Sequence, residues 1–320
     1  MAYGVSAHLG LSAQTAFGTA TSSFEFIPIV SESLTTAIEQ LTEEGLRGRF
    51  EEGNTLEGLL TVEGEIVIEP SPIMFGHVLR GLTGIASGTI STSHYVWTYN
   101  PPQSDYATTT ALPPYTLELH RDVGSSWQFT DAIFNSMTLE VTGNAIVKAT
   151  IGVMAKVSSL AEKNTPTFLT EPSYLWSSTS VSIAGAANAD MESLTFTWEN
   201  NIEGVDLLDA TNLWSKFKRT GFRNFNLSGV LNYDAQTEYN VFRVGSQERI
   251  VINIAGTAIN SGINSELTID IPSFRYTSFP INADGPGRIS ASWEGIAKYN
   301  AGSATAIEIT LTNTRANYVP

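Results

Sequence analysis

The chain has 320 residues, no cysteine, 17 Lys and Arg against 32 Asp and Glu, and a formal charge of -15. Without cysteine there is no disulfide scaffold, zinc-thiolate site or cysteine nucleophile, and the acidic balance disfavours tight binding to duplex DNA, which needs Lys and Arg to displace condensed counterions. At 42% hydrophobic and 15% charged residues the chain can bury a core, and its length fits two domains or one large all-β unit.

Residues 1–20 have neither a basic n-region nor an apolar h-region, so no secretory signal is expected. No window approaches 18 consecutive apolar residues, so no transmembrane helix is expected either. Alternating or β-branched runs then follow one another at residues 24–30, 59–69, 115–120, 136–142, 145–157, 181–183, 193–198, 225–233, 249–254, 266–271, 289–299 and 306–312. Gly, Asn, Asp and Pro turn signals separate them, which predicts strands and a mainly β fold. Two helices are predicted, at 71–80 with Pro72 near the first turn and Gly81 beyond the end, and at 235–243 with Gly245 beyond.

Each helix follows a similar strand. VEGEIVIEPSPIMFGHVLRG (62–81) parallels LSGVLNYDAQTEYNVFRVG (227–245), with Gly64 opposite Gly229 and Glu69 opposite Asp234. VKATIGVMAKV (147–157) parallels ISASWEGIAKY (289–299), with Lys156 opposite Lys298. These ordered echoes predict two tandem β-sandwich or barrel modules, each with one short flanking α-helix. The first spans 1–160 with an inserted loop at 83–114, a linker covers 161–178, and the second spans 179–320. The insertion is rich in Gly, Ser, Thr, Tyr and Pro, and is expected to be an outward decoration or an inter-ring contact.

No catalytic or metal site is predicted. His8, His77, His94 and His120 have no convergent spacing, and no nucleophile elbow, zincin helix or phosphate loop occurs. The pairs Glu43-Glu44 and Glu51-Glu52 lie in a polar segment without the burial that would separate two carboxyl pKa values. Charge is nonetheless unevenly placed: nine acids lie between Glu39 and Glu69 against Arg47 and Arg49, while the matching stretch of the second half carries Lys216, Lys218, Arg219 and Arg223. Opposite charges at equivalent positions would select one register in an assembly of alternating modules; the alternative is that both are ordinary solvated loops.

Alternation assigns the strand faces. Val62, Ile66 and Ile68 pack while Glu63, Glu65 and Glu69 stay wet; Phe225, Leu227 and Leu231 pack against wet Asn226, Ser228 and Asn232; Met137, Leu139 and Val141 pack against wet Thr138 and Glu140. Such wet faces suit a solvated sheet or a channel wall.

LSAQTAFGTATSSFEFIPIVSESL (11–34), GLRGRFEEGNTLEG (45–58), the strand-helix unit at 62–81 and SVSIAGAANADMESLTFTWENNIEG (180–204) together resemble major tail tube proteins of long-tailed bacteriophages. The two-module length resembles the duplicated subset that builds trimeric, pseudo-hexameric rings. The resemblance implies a structural virion protein without catalysis or cofactor, assembled in the host cytoplasm and stacked ring upon ring in the tail to conduct DNA during ejection. Its partners would be further copies of itself, a tape-measure protein, and tail-terminator and tail-tip proteins, with DNA passing without tight binding and no membrane. The non-contractile, siphovirus type of tail is favoured.

Carried over, the resemblance makes residues 41–56 an arm reaching the next ring, with a counterpart at 205–223, and puts strands 59–69 and 225–234 on the bore; alternation then gives Glu63, Glu65, Glu69, Thr138, Glu140, Asn226, Ser228 and Asn232 as lumen candidates. The arm candidates are Glu43, Glu44, Arg47, Arg49, Glu51, Glu52, Lys216, Lys218, Arg219 and Arg223. The alternatives are a β-sandwich carbohydrate-binding adhesin or virion decoration protein, using the six Trp and 11 Tyr as sugar platforms, and an outer-membrane porin, which the missing signal peptide counts against. Most of these aromatics fall at core phase, with Trp97 and Tyr99 of the inserted loop as expected exceptions.

Overall fold

The computed structural model describes residues 3–318, apart from 49, 85, 92, 104–111 and 284. The first half runs β1 (His8–Ala13), β2 (Glu25–Ile27), β3 (Ser31–Glu32), β4 (Thr35–Thr42), β5 (Thr55–Ile68), α1 (Phe75–Thr83), β6 (Ser87–Ser91), β7 (His94–Tyr99), β8 (Tyr115–His120), β9 (Ser126–Thr142), β10 (Lys148–Ala155) and β11 (Val157–Ala161). The second runs β12 (Thr179–Ile183), β13 (Ala186–Asn188), β14 (Met191–Glu199), β15 (Ile202–Val205), β16 (Lys216–Arg219), β17 (Asn224–Asn232), α2 (Thr237–Val244), β18 (Glu248–Asn260), β19 (Ile263–Ser278), β20 (Ser290–Ala297) and β21 (Glu308–Asn313). The protein is mainly β, as its alternation predicts.

One antiparallel run crosses the molecule in the order β4, β5, β10, β9, β14, β17, β20, β19, eight strands wide. The long strands β9 and β19 leave it at their N-terminal ends and pair elsewhere, in the orders β2, β1, β8, β9, β11 and β13, β12, β18, β19, β21. Apolar faces from both groups merge in one core around Phe129, Leu139, Trp198, Leu227, Ile269 and Trp293.

The two halves share details as well as neighbours. Where β9 meets β10 the register slips past Asn135, and where β19 meets β20 it slips past Thr277. Beyond each bulge an apolar residue faces an alanine, Leu139 with Ala149 and Ile281 with Ala291. Gly64 and Gly229 both sit where a Cβ would meet backbone, 2.5 Å from the Ser33 carbonyl and 2.6 Å from that of Ser193, so each preceding chain approaches more closely than any side chain permits.

Three local expectations need correction. The first helix begins at Phe75, because residues 71–74 with Pro72 form a turn, and it continues through Gly81 to end at Gly84, whose φ of 79° and N–H bond to the Arg80 carbonyl form a left-handed cap. Gly81 is retained inside the helix because the Phe134 ring lies 2.2 Å from where a Cβ would stand. The second helix is capped as expected, by Gly245 at φ 74°. Every residue of α1 is buried, whereas α2 buries none.

The 83–114 segment is not simply a loop. It carries the hairpin β6–β7, and β7 pairs with β21 from the far end of the chain. Trp97 and Tyr99 are therefore core residues, 5% and 0% exposed. The alternation of residues 94–99 outweighs the polar composition around it. Residues 104–111 of this segment lie outside the described residues. Residues 161–178 also pack against the first half: Asn164 Nδ2 donates to Glu118 Oε2 at 2.7 Å, Glu171 accepts the Ile73 N–H at 2.7 Å, and Tyr174 is buried.

Candidate functional site

Pairing register turns separate strands into rows. One row is Glu65, Gly152, Ser136, Glu199; the next is Val67, Thr150, Thr138, Thr197, Asn226, Ile296; a third is Lys148, Glu140, Thr195, Ser228, Glu294. Rows two residues apart share a face, so Glu63, Glu65, Thr138, Glu140, Asn226, Ser228 and Asn232 all lie on one side of the eight-strand run. The other side is the core, with Val62, Ile66, Met137, Leu139, Phe196, Trp198, Leu227 and Leu231 buried. Glu69 stands just past β5, half-buried, its carbonyl accepting from Ser173 Oγ at 3.2 Å.

Strands β14 and β20 extend this face with Thr195, Thr197, Glu199 and Glu294, residues that the sequence reading passed over although their alternation carried the signal. Strands β10 and β19 add the cations Lys148 and Arg275; Lys148 stands directly opposite Glu140 in the pairing. The face is thus mostly hydroxyl, amide and carboxylate, with acids in excess.

Both lateral margins of this run are open. Among the described residues β4 pairs with no strand except β5, and residues 279–283 keep only the bridge between Ile281 and Ala291. The two arms differ. In the first, Glu44, Arg47, Glu51 and Glu52 are exposed, Glu43 pairs with Arg47 four residues on, and Arg49 lies outside the described residues. Leu46 and Phe50 at its tip are fully exposed.

The second arm folds back on its own chain. Its hairpin of β15 and β16 covers a small apolar cluster of Ile133, Met154, Ile202, Trp214 and Phe217. The Leu60 N–H donates to the Asn212 carbonyl at 2.7 Å, and Lys156 Nζ donates to the Ser215 carbonyl at 2.6 Å. Asn135, the bulge residue, exchanges two hydrogen bonds of 3.0 Å with the main chain of Ile202. Of the expected basic residues, Lys216, Lys218 and Arg219 lie on β16, Arg219 donating to the Asn200 carbonyl, while Arg223 donates to the Pro102 carbonyl.

Away from the face, buried and half-buried polar groups tie the chain ends together. Glu25 receives a two-pronged contact from Arg315 and a 3.2 Å hydrogen bond from His77 Nε2. Burial pushes the Glu25 carboxyl up, but these two partners outweigh it and hold its pKa at about 2. Burial pulls His77 below its usual value even beside that carboxylate, so at neutral pH the ring donates as a neutral imidazole and Arg315 carries the compensating charge. His8 stacks on His120 at 5.2 Å and is likewise lowered, chiefly by burial.

Most of the tryptophans are withdrawn from solvent. Trp97, Trp198, Trp214 and Trp293 are buried, Trp127 is partly buried, and Trp176 is 44% exposed. Among the described residues no helix is long and apolar enough to cross a membrane. Among known families, the model described as phage tail tube protein matches residues 4–314. No curated protein matches the chain.

Proposed function

Because the chain belongs to the phage tail tube protein family, and so is a structural, self-assembling component of the virion tail, we propose that it acts as stacked trimeric rings enclosing a DNA channel. The observation that carries this reading is the polar, acid-rich face stretched between two open sheet margins. Three copies of an eight-strand run supply roughly 24 strands; at about 4.8 Å apart these close a circle about 37 Å wide before tilt enlarges it. A duplex about 20 Å across fits inside such a circle. Acids and neutral groups on the wall keep phosphates moving, whereas a lining of Lys and Arg would hold them.

In this reading the chain is a tandem pair of tube modules, residues 1–160 and 179–320, so three chains present six similar units. The repeated strand order and the matching bulges at Asn135 and Thr277 support the division. Glu63, Glu65, Thr138, Glu140, Asn226, Ser228 and Asn232 line the bore, joined by Glu199 and Glu294. The exposed first arm makes contacts between copies. Tape-measure, tail-terminator and tail-tip proteins are the remaining partners, in a non-contractile tail assembled in the host cytoplasm.

Negative-stain microscopy of purified protein, with a mass measurement of the smallest ring, tests the proposal. Rings of three chains that stack into hollow tubes are expected. A stable monomer at all concentrations, or solid filaments without a central channel, would refute it.

A further inference from the structure

The chain contains, within itself, the kind of contact that a ring needs between its members. Strand β9 carries a bulge at Asn135, and the residues beyond it pair with β14 as Ser136 with Glu199, Thr138 with Thr197, Glu140 with Thr195. The second half repeats the donor side: after the bulge at Thr277 come residues 278–283, of which Ile281 still faces Ala291 as Leu139 faces Ala149, but whose outer margin, among the described residues, has no strand paired to it.

The acceptor side is repeated too. Glu192-Ser193-Leu194-Thr195 opening β14 recurs as Glu32-Ser33-Leu34-Thr35 leading into β4. In both, the serine carbonyl packs on the glycine of the following long strand, Gly229 or Gly64. Strand β14 is covered by β9, whereas β4 has Thr35, Ala37, Ile38 and Leu41 exposed.

The arms complete the correspondence. The second arm lies over Ile133 and Met154, paired just before the bulge, and is held by Lys156. At the matching places stand Arg275 paired with Ile296, then Lys298; Arg275 and Lys298 are exposed and Ile296 half-buried. Ile133 is thus matched by the cation Arg275, Met154 by the still apolar Ile296 and Lys156 by Lys298, while the first arm carries glutamates beside its exposed Leu46 and Phe50. The cation gained on one side is complementary to the acids of the first arm.

We propose that the β9–β14 junction is remade between chains: residues 278–283 of one copy pair antiparallel with β4 of the next, Asn282 opposite Thr35, and the acidic arm of that next copy lies over Arg275 and Lys298. The same register sets Ile281 against Thr36 and Phe279 against Ile38, so Ile38 shields Phe279 as Trp198 shields Met137. Pro280 removes at most one N–H donor from this margin. The proposal rests on the ring reading above and specifies the partner surface and its register.

The cysteine-free chain allows a direct test by disulfide trapping. Directly opposed residues on antiparallel strands lie about 4.5–5.5 Å apart between Cα atoms, within disulfide reach. Thr35→Cys with Asn282→Cys should give covalent multimers from mildly oxidised assemblies. Ala37→Cys with Asn282→Cys, one diagonal step away at roughly 7–8 Å, should give at least about fivefold less. Glu140→Cys with Thr195→Cys reports the same junction inside one chain and should close without adding mass.

Assembled particles in which the internal pair closes but the 35–282 pair does not, or in which the 37–282 pair closes equally well, would overturn the proposed register while leaving the tube reading standing. Failure of the unmodified protein to assemble would remove both. As a second readout, Arg275→Glu with Lys298→Glu should block assembly, and adding Glu51→Lys and Glu52→Lys should restore it; restoration failing in variants that remain folded by circular dichroism would exclude the arm contact.

Discussion

At the scale of single residues, a polar and aromatic cluster at the edge of the core ties the two ends of the chain to the first helix. Arg315 reaches back to Glu25, its guanidinium lies 5.4 Å from the Tyr318 ring, and Tyr318 in turn meets His77 edge-on at 5.0 Å. Gly76 permits this, since a Cβ there would fall 2.1 Å from the tyrosine ring. Removing the cation by Arg315→Ala strands a carboxylate that is only partly solvated. Discounted for that exposure, the cost is about 1–2 kcal/mol, seen as a lowered midpoint in urea unfolding at pH 7.

The pH dependence has a definite sign. The pKa of Glu25 is depressed from 4.5 to about 2, so its contribution is complete above the unfolded value and drains away as pH falls through the folded one. His77, lowered from 6.5 by burial, acts in the same direction, because below that value the unfolded chain takes up a proton more readily than the folded one. The gap between parent and Arg315→Ala stabilities should therefore shrink steadily from pH 5 downward and vanish near pH 2; a gap that persisted there would place the stabilisation elsewhere.

At the scale of elements, the hairpin β6–β7 shows how composition misleads. Its Ser, Thr and Gly belong to the exposed strand β6, while β7 inserts Trp97 and Tyr99 into the core and adds its backbone to β21. Trp97 Nε1 also donates to the Arg315 carbonyl at 3.0 Å. Trp97→Ala should cost about 3–5 kcal/mol by equilibrium unfolding. A change below about 1 kcal/mol would mean that the hairpin is not docked in solution. The arms teach the complementary lesson: sequence marked both as charged excursions, but only packing distinguishes the hairpin seated on Ile133 and Met154 from the first arm, whose Leu46 and Phe50 are fully exposed.

At the scale of the whole molecule, the net charge of -15 opposes association of copies, so attraction must be local. Glutamates of one arm facing Lys298 and Arg275 of a neighbour would supply it. Assembly followed by light scattering should weaken between about 50 mM and 500 mM salt, as the Debye length falls below the separation of such groups. The variant Glu51→Lys with Glu52→Lys should assemble less at low salt and respond more weakly to added salt. An unchanged salt profile would remove the arm from the account.

Alternation along the chain was enough to fix the β class and the wet side of strands such as β5, β9 and β17, because a period of two writes the face directly into neighbouring residues. Met137, Leu139 and Val141 against Thr138 and Glu140 needed no structure to be sorted. It also held the candidate face residue by residue, and the family through phrases spread along the chain. Which strands would be neighbours, and which would have none, was decided only in three dimensions. Every strand offers the same backbone donors and acceptors on both margins, so β9 choosing β14, β7 choosing β21 and β4 pairing, among the described residues, with β5 alone depend on long-range packing that no local pattern encodes.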